Sequence, residues 1–220
     1  MTKPKAQGPK PTLAVVVRPA TLEDMPRVGE VLVEGFIHKF GTIFGCRVDR
    51  APHIVAQIER LMLERGSCAL SVAEVDGQVV GVLELTARRE RLSDIWGQLQ
   101  IMLREVGPLY TLRATVGLVL LHEETVVGDT AYISNIAVTA DLRGQGIGWK
   151  LLESAEEWAR AHGKGSLSLH VAASNPARHL YERFGFRLEK RIEEWLTERL
   201  FGIRTWLYVV KPLSGRDDAE

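Results

Sequence analysis

The residues best suited to chemistry lie in the run YISNIAVTADLRGQGIGWKLLESAEEWA, residues 132–159. A strand-like stretch passes Arg143, then Gly144, Gly146 and Gly148, and enters a helical pattern. Each glycine costs a helix about 1 kcal/mol relative to alanine, so this turn requires bare backbone. The first amides of a helix lack intrahelical partners, and the aligned peptide dipoles favour negative charge there. With no side chains at the three glycines, those amides can approach a phosphate, and Arg143 supplies a counter-charge. The plainer alternative is a tight turn with a solvated Arg143. The dinucleotide fingerprint GxGxxG fails because Trp149 occupies its last position, and the GxxxxGK(S/T) loop is absent.

The elements that must hold this turn follow from pattern and punctuation. LAVVVRPA is a short β-branched strand ending near Pro19, and Thr21 caps a helix with Glu23 and Asp24 in its first turn. PHIVAQIERLMLERG carries Ile54, Ile58, Leu61 and Met62 on one helical face and stops at Gly66. CALSVAEV and QVVGVLEL form a hairpin across Asp76-Gly77. Residues 88–127 read as a helical insertion broken near Gly107-Pro108. TAYISNIAV is the strand before the glycine turn. The helix after the turn presents Ile147, Leu151, Ala155 and Trp158 inward and Lys150, Glu153, Glu157 and Arg160 outward. SLSLHVAA is a further strand, PARHLYERFG a short helix, and FRLEKRIEEW and RTWLYVVKPL are closing strands. Hairpins joined to βαβ crossovers give a mixed, mostly antiparallel twisted sheet of about seven strands flanked by helices. The expected division is an N-terminal arm at 1–12, one domain at 13–213 and a tail at 214–220.

Composition narrows the partners. Positive and negative charges balance at a net charge of +0, giving no electrostatic case for nucleic acid or a polybasic membrane patch. The N-terminus lacks the apolar core of a signal peptide. LYTLRATVGLVLLH is interrupted by Arg113 and falls short of the ~20 residues a spanning helix needs. Cys46 and Cys68 are too few for a disulfide framework and lack zinc spacing, as expected of thiols in a reducing cytoplasm. His122, Glu123 and Glu124 are adjacent on a helix and diverge rather than chelate, so no metal is expected.

The segment RGQGIG, followed about thirty residues later by SNPARHLYERFGF, resembles the GCN5-related N-acetyltransferase (GNAT) superfamily. The resemblance extends over the closing strands and the N-terminal strand, helices and hairpin. It implies the GNAT fold and transfer of an acetyl group from acetyl-CoA to a primary amine of a small molecule or peptide. It implies that Arg143, Gly144, Gln145, Gly146, Ile147 and Gly148 hold the pyrophosphate, and that backbone groups of Ile136, Ala137 and Val138 receive the pantetheine arm. In such folds that strand splays from its neighbour and leaves amides unpaired. Asn175 suits a helix cap with Pro176 behind it, and in the family an asparagine here also contacts the cofactor. Helical spacing alone makes Tyr181 a core aromatic. The resemblance makes it the acid that protonates departing coenzyme A.

A base is also required, because primary amines are protonated near neutrality. Bacterial members that acetylate protein N-termini carry a glutamate five residues before the asparagine. Here that position is His170, on the more polar face of its strand. A structural histidine is the alternative, and Glu84 or a water relay are other bases. Trp96, Leu99, Met102 and Leu103 form a helical apolar stripe expected in the core or a homodimer contact. The insertion is expected near the acceptor. A non-catalytic CoA-binding sensor of the same fold is the competing function, although it would have no need of Tyr181.

Overall fold

A computed structural model describes residues 14–121 and 128–213. The expected arm, the tail and His122 to Glu124 lie outside the described residues. Seven strands form one sheet: β1 (Val15–Pro19), β2 (Cys68–Val75), β3 (Gln78–Thr86), β4 (Thr130–Val138), β5 (Ser166–Ala172), β6 (Arg187–Glu193) and β7 (Thr205–Pro212). Their spatial order is β1-β2-β3-β4-β5-β7-β6. Every neighbouring pair is antiparallel except β4 and β5. The helices are α1 (Met25–Gly35), α2 (Ile37–Phe44), α3 (Ala51–Glu64), α4 (Leu92–Leu121), α5 (Ile147–Ala161), α6 (Arg178–Phe184) and α7 (Trp195–Phe201).

The sheet has a core on each face. One packs Val28, Leu32, Ile54 and Val106 against Leu70, Val72 and Val82. The other packs Ile147, Leu151, Leu152 and Ala155 of α5 against Leu83, Leu85, Leu167 and Leu169. Leu151 and Leu152 are fully buried, each contributing about 1.5–3 kcal/mol of transfer free energy. The β2–β3 turn has Asp76 at φ 52° and Gly77 at φ 75°, the left-handed pair that a tight hairpin requires.

Several elements differ from the sequence expectation. Thr21 starts a 3₁₀ turn, Leu22–Asp24, before α1 begins. Within it Asp24 accepts from the Thr21 amide and from Arg18, which also reaches Glu74. The pattern does not mark α2, because glycines on both sides and Gly41 inside it interrupt the periodicity. α7 fills the link between the two closing strands, where the pattern marks no element beyond Trp195. Thr197 sits at its buried face, its hydroxyl 2.8 Å from the Ile203 carbonyl, and Gly202 closes the helix at φ 69°.

α4 occupies the insertion between β3 and β4, with its break at Gly107, φ 78°, beside Pro108. Its buried face runs through Asp94, Gly97, Met102 and Val106. Of the expected stripe only Met102 is in the core; Trp96 is 60% exposed and Leu103 44%. The Asp94 carboxylate explains the different rotation. It accepts from Arg88, Arg65, Ser67 and the Arg91 amide, which pins the start of α4 to the link between α3 and β2. Among the described residues, no helix is long and apolar enough to cross a membrane.

Candidate active site

β4 and β5 run side by side for only three pairs, Thr130–Ser166, Ala131–Leu167 and Tyr132–Ser168, and then part. On its other edge β4 pairs with β3 through a bulge. Glu84 faces Asn135 and Leu85 faces Ile133, which leaves Ser134 as the extra residue. A bulge bends a strand and increases its twist, and here it swings the end of β4 away from β5. β5 is carried the other way by seven pairs with β7, up to Ala172–Trp206. The result is a fork in the middle of the sheet, opening into a cleft of about 1220 Å³.

Ile136, Ala137 and Val138 line one prong of the fork, and Leu169, His170 and Val171 line the other. Backbone groups of the first prong that face away from β3 are not matched by β5, so their hydrogen-bonding capacity is directed into the cleft. Gly35 brings the end of α1 against this prong: a Cβ there would lie 2.7 Å from Cβ of Ala137.

The glycine turn forms the outer rim. Gly144 and Gly146 have φ of 75° and 85°, a conformation that costs an L side chain about 1–2 kcal/mol. Gly148 is helical, and a Cβ there would meet Cδ2 of Leu180 at 3.0 Å. The first two glycines therefore shape the backbone and the third lets α6 approach α5. Within the described residues no backbone carbonyl accepts from the amides of Gly144 through Gly148, so the turn presents a row of donors at a helix N-terminus. Arg143 folds beside it, its Nε donating to the Val138 carbonyl at 2.9 Å. Gln145 is the exception among the expected residues: it does not line the cleft, and its amide points back toward the Asp141 carbonyl at 3.5 Å.

Asn175 and Tyr181 line the opposite side. The Asn175 Oδ1 accepts from the Ala177 amide at 2.9 Å. Asn175 thus caps the turn ahead of α6, two residues earlier than a simple cap, with α6 itself starting at Arg178. Tyr181 is 6% exposed and packs edge-on to Phe186 at 5.9 Å between centroids. Burial pushes its hydroxyl pKa well up, so it stays protonated and able to donate. Its core and cleft positions are compatible, since the same residue closes the apolar layer and borders the cavity.

His170 lines the cleft with its Nδ1 3.0 Å from the Tyr132 hydroxyl. Its ring lies 4.7 Å from that of Tyr208. Glu84 does not line the cleft; it is buried behind Asn135, from whose amide it accepts a hydrogen bond. Burial raises its pKa, as it does that of neighbouring Glu59. Ligand atoms of Glu59, Glu84 and the buried Cys68 lie within 4.8 Å of one another. Burial and the two carboxylates also push the Cys68 thiol up, so the cluster favours bound protons.

The cleft has walls that pattern reading missed. Trp149 lines it from α5, edge-on to Phe184 at 4.9 Å. Phe36 and Lys39 enter from the α1–α2 junction, and Phe201 and Trp206 from the α7 side. No described residue of α4 lines the cleft. The insertion instead packs on α2, α3 and α7 and braces two of the elements that form the wall.

Known proteins share this architecture. A Bacillus subtilis (strain 168) protein provisionally named ribosomal protein bS18-alanine N-acetyltransferase is 43% identical over 63 residues, 28% of this chain and 42% of that protein. The match thus spans less than half of that relative. The ribosomal-protein-S18-alanine N-acetyltransferase of Escherichia coli superposes with a TM-score of 0.55 at 17% identity, covering 94% of this chain and 99% of the other. A GNAT family acetyltransferase from Elizabethkingia anophelis, solved with acetyl-CoA bound, gives 0.55 at 16% identity over 93% of this chain and 100% of that one. These two likenesses are of fold. The sequence model of the acetyltransferase (GNAT) family matches residues 38–186, more than half of the chain, and the chain belongs to that family.

Proposed function

We propose that this protein transfers the acetyl group of acetyl-CoA directly to a primary amine carried by a peptide or small molecule. The observation that carries the reading is the fork. Unmatched backbone of Ile136 to Val138 faces a cleft whose rim is a row of free helix-start amides beside Arg143. A diphosphate suits the rim, because bare amides and a guanidinium together neutralise it. An extended amide-bearing arm suits the fork, because it supplies the hydrogen bonds that β5 withholds from β4.

In this reading, binding both partners in one cleft converts a bimolecular attack into an intramolecular one. The acceptor nitrogen attacks the thioester carbonyl, whose developing negative charge is met by β4 amides. As the C–N bond forms and the C–S bond breaks, the electron pair leaves on sulfur and takes a proton from Tyr181. His170, oriented by Tyr132, removes the proton from the amine. Glu84 is too deeply enclosed to meet the acceptor directly and is the weaker assignment.

The acceptor reading leans toward a peptide amino terminus, because two of the similar proteins are named for ribosomal-protein alanine acetylation. Cytoplasmic placement agrees with that acceptor. The exposed apolar residues Leu92 and Trp96, one turn apart on α4, offer a surface for the expected self-association. Calorimetric titration with acetyl-CoA, followed by thiol release over a panel of peptides, polyamines and aminoglycosides, tests the reading. Binding with release on one amine class supports the enzyme. Binding with no release across the panel would replace it with a CoA-binding sensor, and no binding would remove both.

A further inference from the structure

Lys39 is the one lysine that enters the cleft from the described residues of its wall. It lies on α2, one turn after Gly35 presses against Ala137, and so beside the prong of β4 that faces the fork. Its surroundings pull its charge state both ways: the two phenyl rings beside it favour the ammonium, and burial favours the neutral amine. Nζ lies 5.7 Å from the Phe40 ring centroid and 5.9 Å from that of Phe36, and no carboxylate among the described residues forms a contact ion pair with it. Burial lowers its pKa, while Glu84 and Glu59 act in the opposite direction from behind.

Those two carboxylates form the second part of the arrangement. Glu84 on β3 and Glu59 on α3 approach each other in the interior, with the Glu59 Oε2 buried and without a hydrogen-bond partner. Burial of both, and the charge of Glu84 acting on Glu59, favour holding a proton. Other polar groups beside the pair are the Cys68 thiol from β2 and the Asn135 amide from β4. The pair is therefore a buried acidic group whose charge acts on an amine that borders the cleft.

We propose that Lys39 is itself an acceptor, acetylated by its own active site when no external amine is bound. The inference rests on the acetyl-CoA reading of the cleft. Nζ attacks the thioester carbonyl, a C–N bond forms, and the C–S bond breaks with its electron pair on sulfur. Tyr181 gives the sulfur a proton, and the proton lost from Nζ passes to the ionised member of the Glu59–Glu84 pair. Exchange with water then returns the pair and Tyr181 to their starting forms, leaving N-acetyl-lysine and coenzyme A. The product lacks the charge that faces the carboxylate pair and carries an acetyl group on the wall, so modification restricts the cleft for other acceptors.

The test incubates the full chain with acetyl-CoA alone and follows acetyl mass on each lysine-containing peptide with time. Lys39 should react first and approach one acetyl group per chain, ahead of exposed Lys150 and Lys190. Excess coenzyme A should protect Lys39 and leave the exposed lysines unaffected. Tyr181→Phe should slow it on the order of a hundredfold, and Glu59→Gln should slow it without weakening acetyl-CoA binding. An unmodified Lys39 in protein that binds acetyl-CoA by calorimetry overturns this inference alone. Acetylation of Lys39 no faster than of Lys150, or without protection by coenzyme A, also overturns it. Failure to bind acetyl-CoA overturns the reading of the cleft as well.

Discussion

The Tyr132 hydroxyl lies 3.0 Å from Nδ1 of His170, joining the two strands where β4 and β5 part. Tyr132 still belongs to the paired part of β4, whereas His170 projects from the separated part of β5. The hydrogen bond therefore fixes an imidazole relative to the rigid base of the fork. Tyr208 restrains the same ring from the β7 side. A ring held at Nδ1 has a defined second nitrogen, which is what a general base requires.

That arrangement gives the first prediction. His170→Ala should lower kcat/KM on the order of a hundredfold while leaving acetyl-CoA affinity unchanged. Tyr132→Phe keeps the ring but loses the hold, and a smaller drop of about tenfold is expected, with acetyl-CoA affinity unchanged. Wild-type turnover in His170→Ala would take the base role away from this residue.

Tyr181 supports a prediction with a different signature. Burial raises its pKa, so the acid form persists through the ordinary working range and its loss moves to higher pH. Tyr181→Phe keeps the ring against Phe186 and removes only the hydroxyl. Turnover should fall on the order of 10²–10³-fold while calorimetry finds acetyl-CoA binding close to wild type. Normal turnover in this variant would leave Tyr181 as a core aromatic.

The rim can be tested apart from the chemistry. Gly146 has φ 85°, and a Cβ placed there would have no heavy atom of another residue within 4 Å beyond its chain neighbours. Alanine at this position therefore meets backbone strain rather than a clash. The strain is about 1–2 kcal/mol, and relieving it would rotate amides out of the row. Gly146→Ala should weaken acetyl-CoA binding about tenfold with a modest fall in Tm. A matching fall in Tm with unchanged affinity would show that the turn serves α5 and not a ligand.

The chain announces its rim more clearly than its walls. Gly144 and Gly146 carry the signal because a left-handed backbone has few sequence solutions, and Asp76-Gly77 carries it for the same reason. Arg143 and Asn175 follow by adjacency to such turns. The fork is different: it arises from the Ser134 bulge and from the competing claims of β3 and β7 on strands distant in sequence, which periodicity does not encode. α7 is hidden because a strand-like run precedes it and only Gly202 marks its end. Apolar spacing does not say which part of the α4 stripe enters the core, because Asp94, held by three other side chains and a backbone amide, sets the rotation of the helix. The Glu59–Glu84–Lys39 group draws on α3, β3 and α2, and no local pattern unites residues so far apart.

Glu59 provides the last prediction, one of stability rather than rate. It is 7% exposed and its Oε2 lacks a partner, so folding removes a solvated oxygen and gives it no hydrogen bond in return. Burial first, and the charge of Glu84 second, raise its pKa in the folded state. A carboxyl with a raised folded pKa binds more protons folded than unfolded. Its contribution is therefore fully present below about pH 4.3, the ordinary glutamate value, and is lost as pH rises through the folded pKa. Glu59→Gln removes this dependence and adds an amide that can donate to Glu84. The variant should be more stable than wild type by about 1–3 kcal/mol at neutral pH, and the advantage should shrink as the pH is lowered toward 4.3. Thermal melts of both proteins across that range measure the difference directly. An advantage that is constant with pH would mean Glu59 does not change protonation on folding, and a less stable variant would mean its carboxylate is paired in solution.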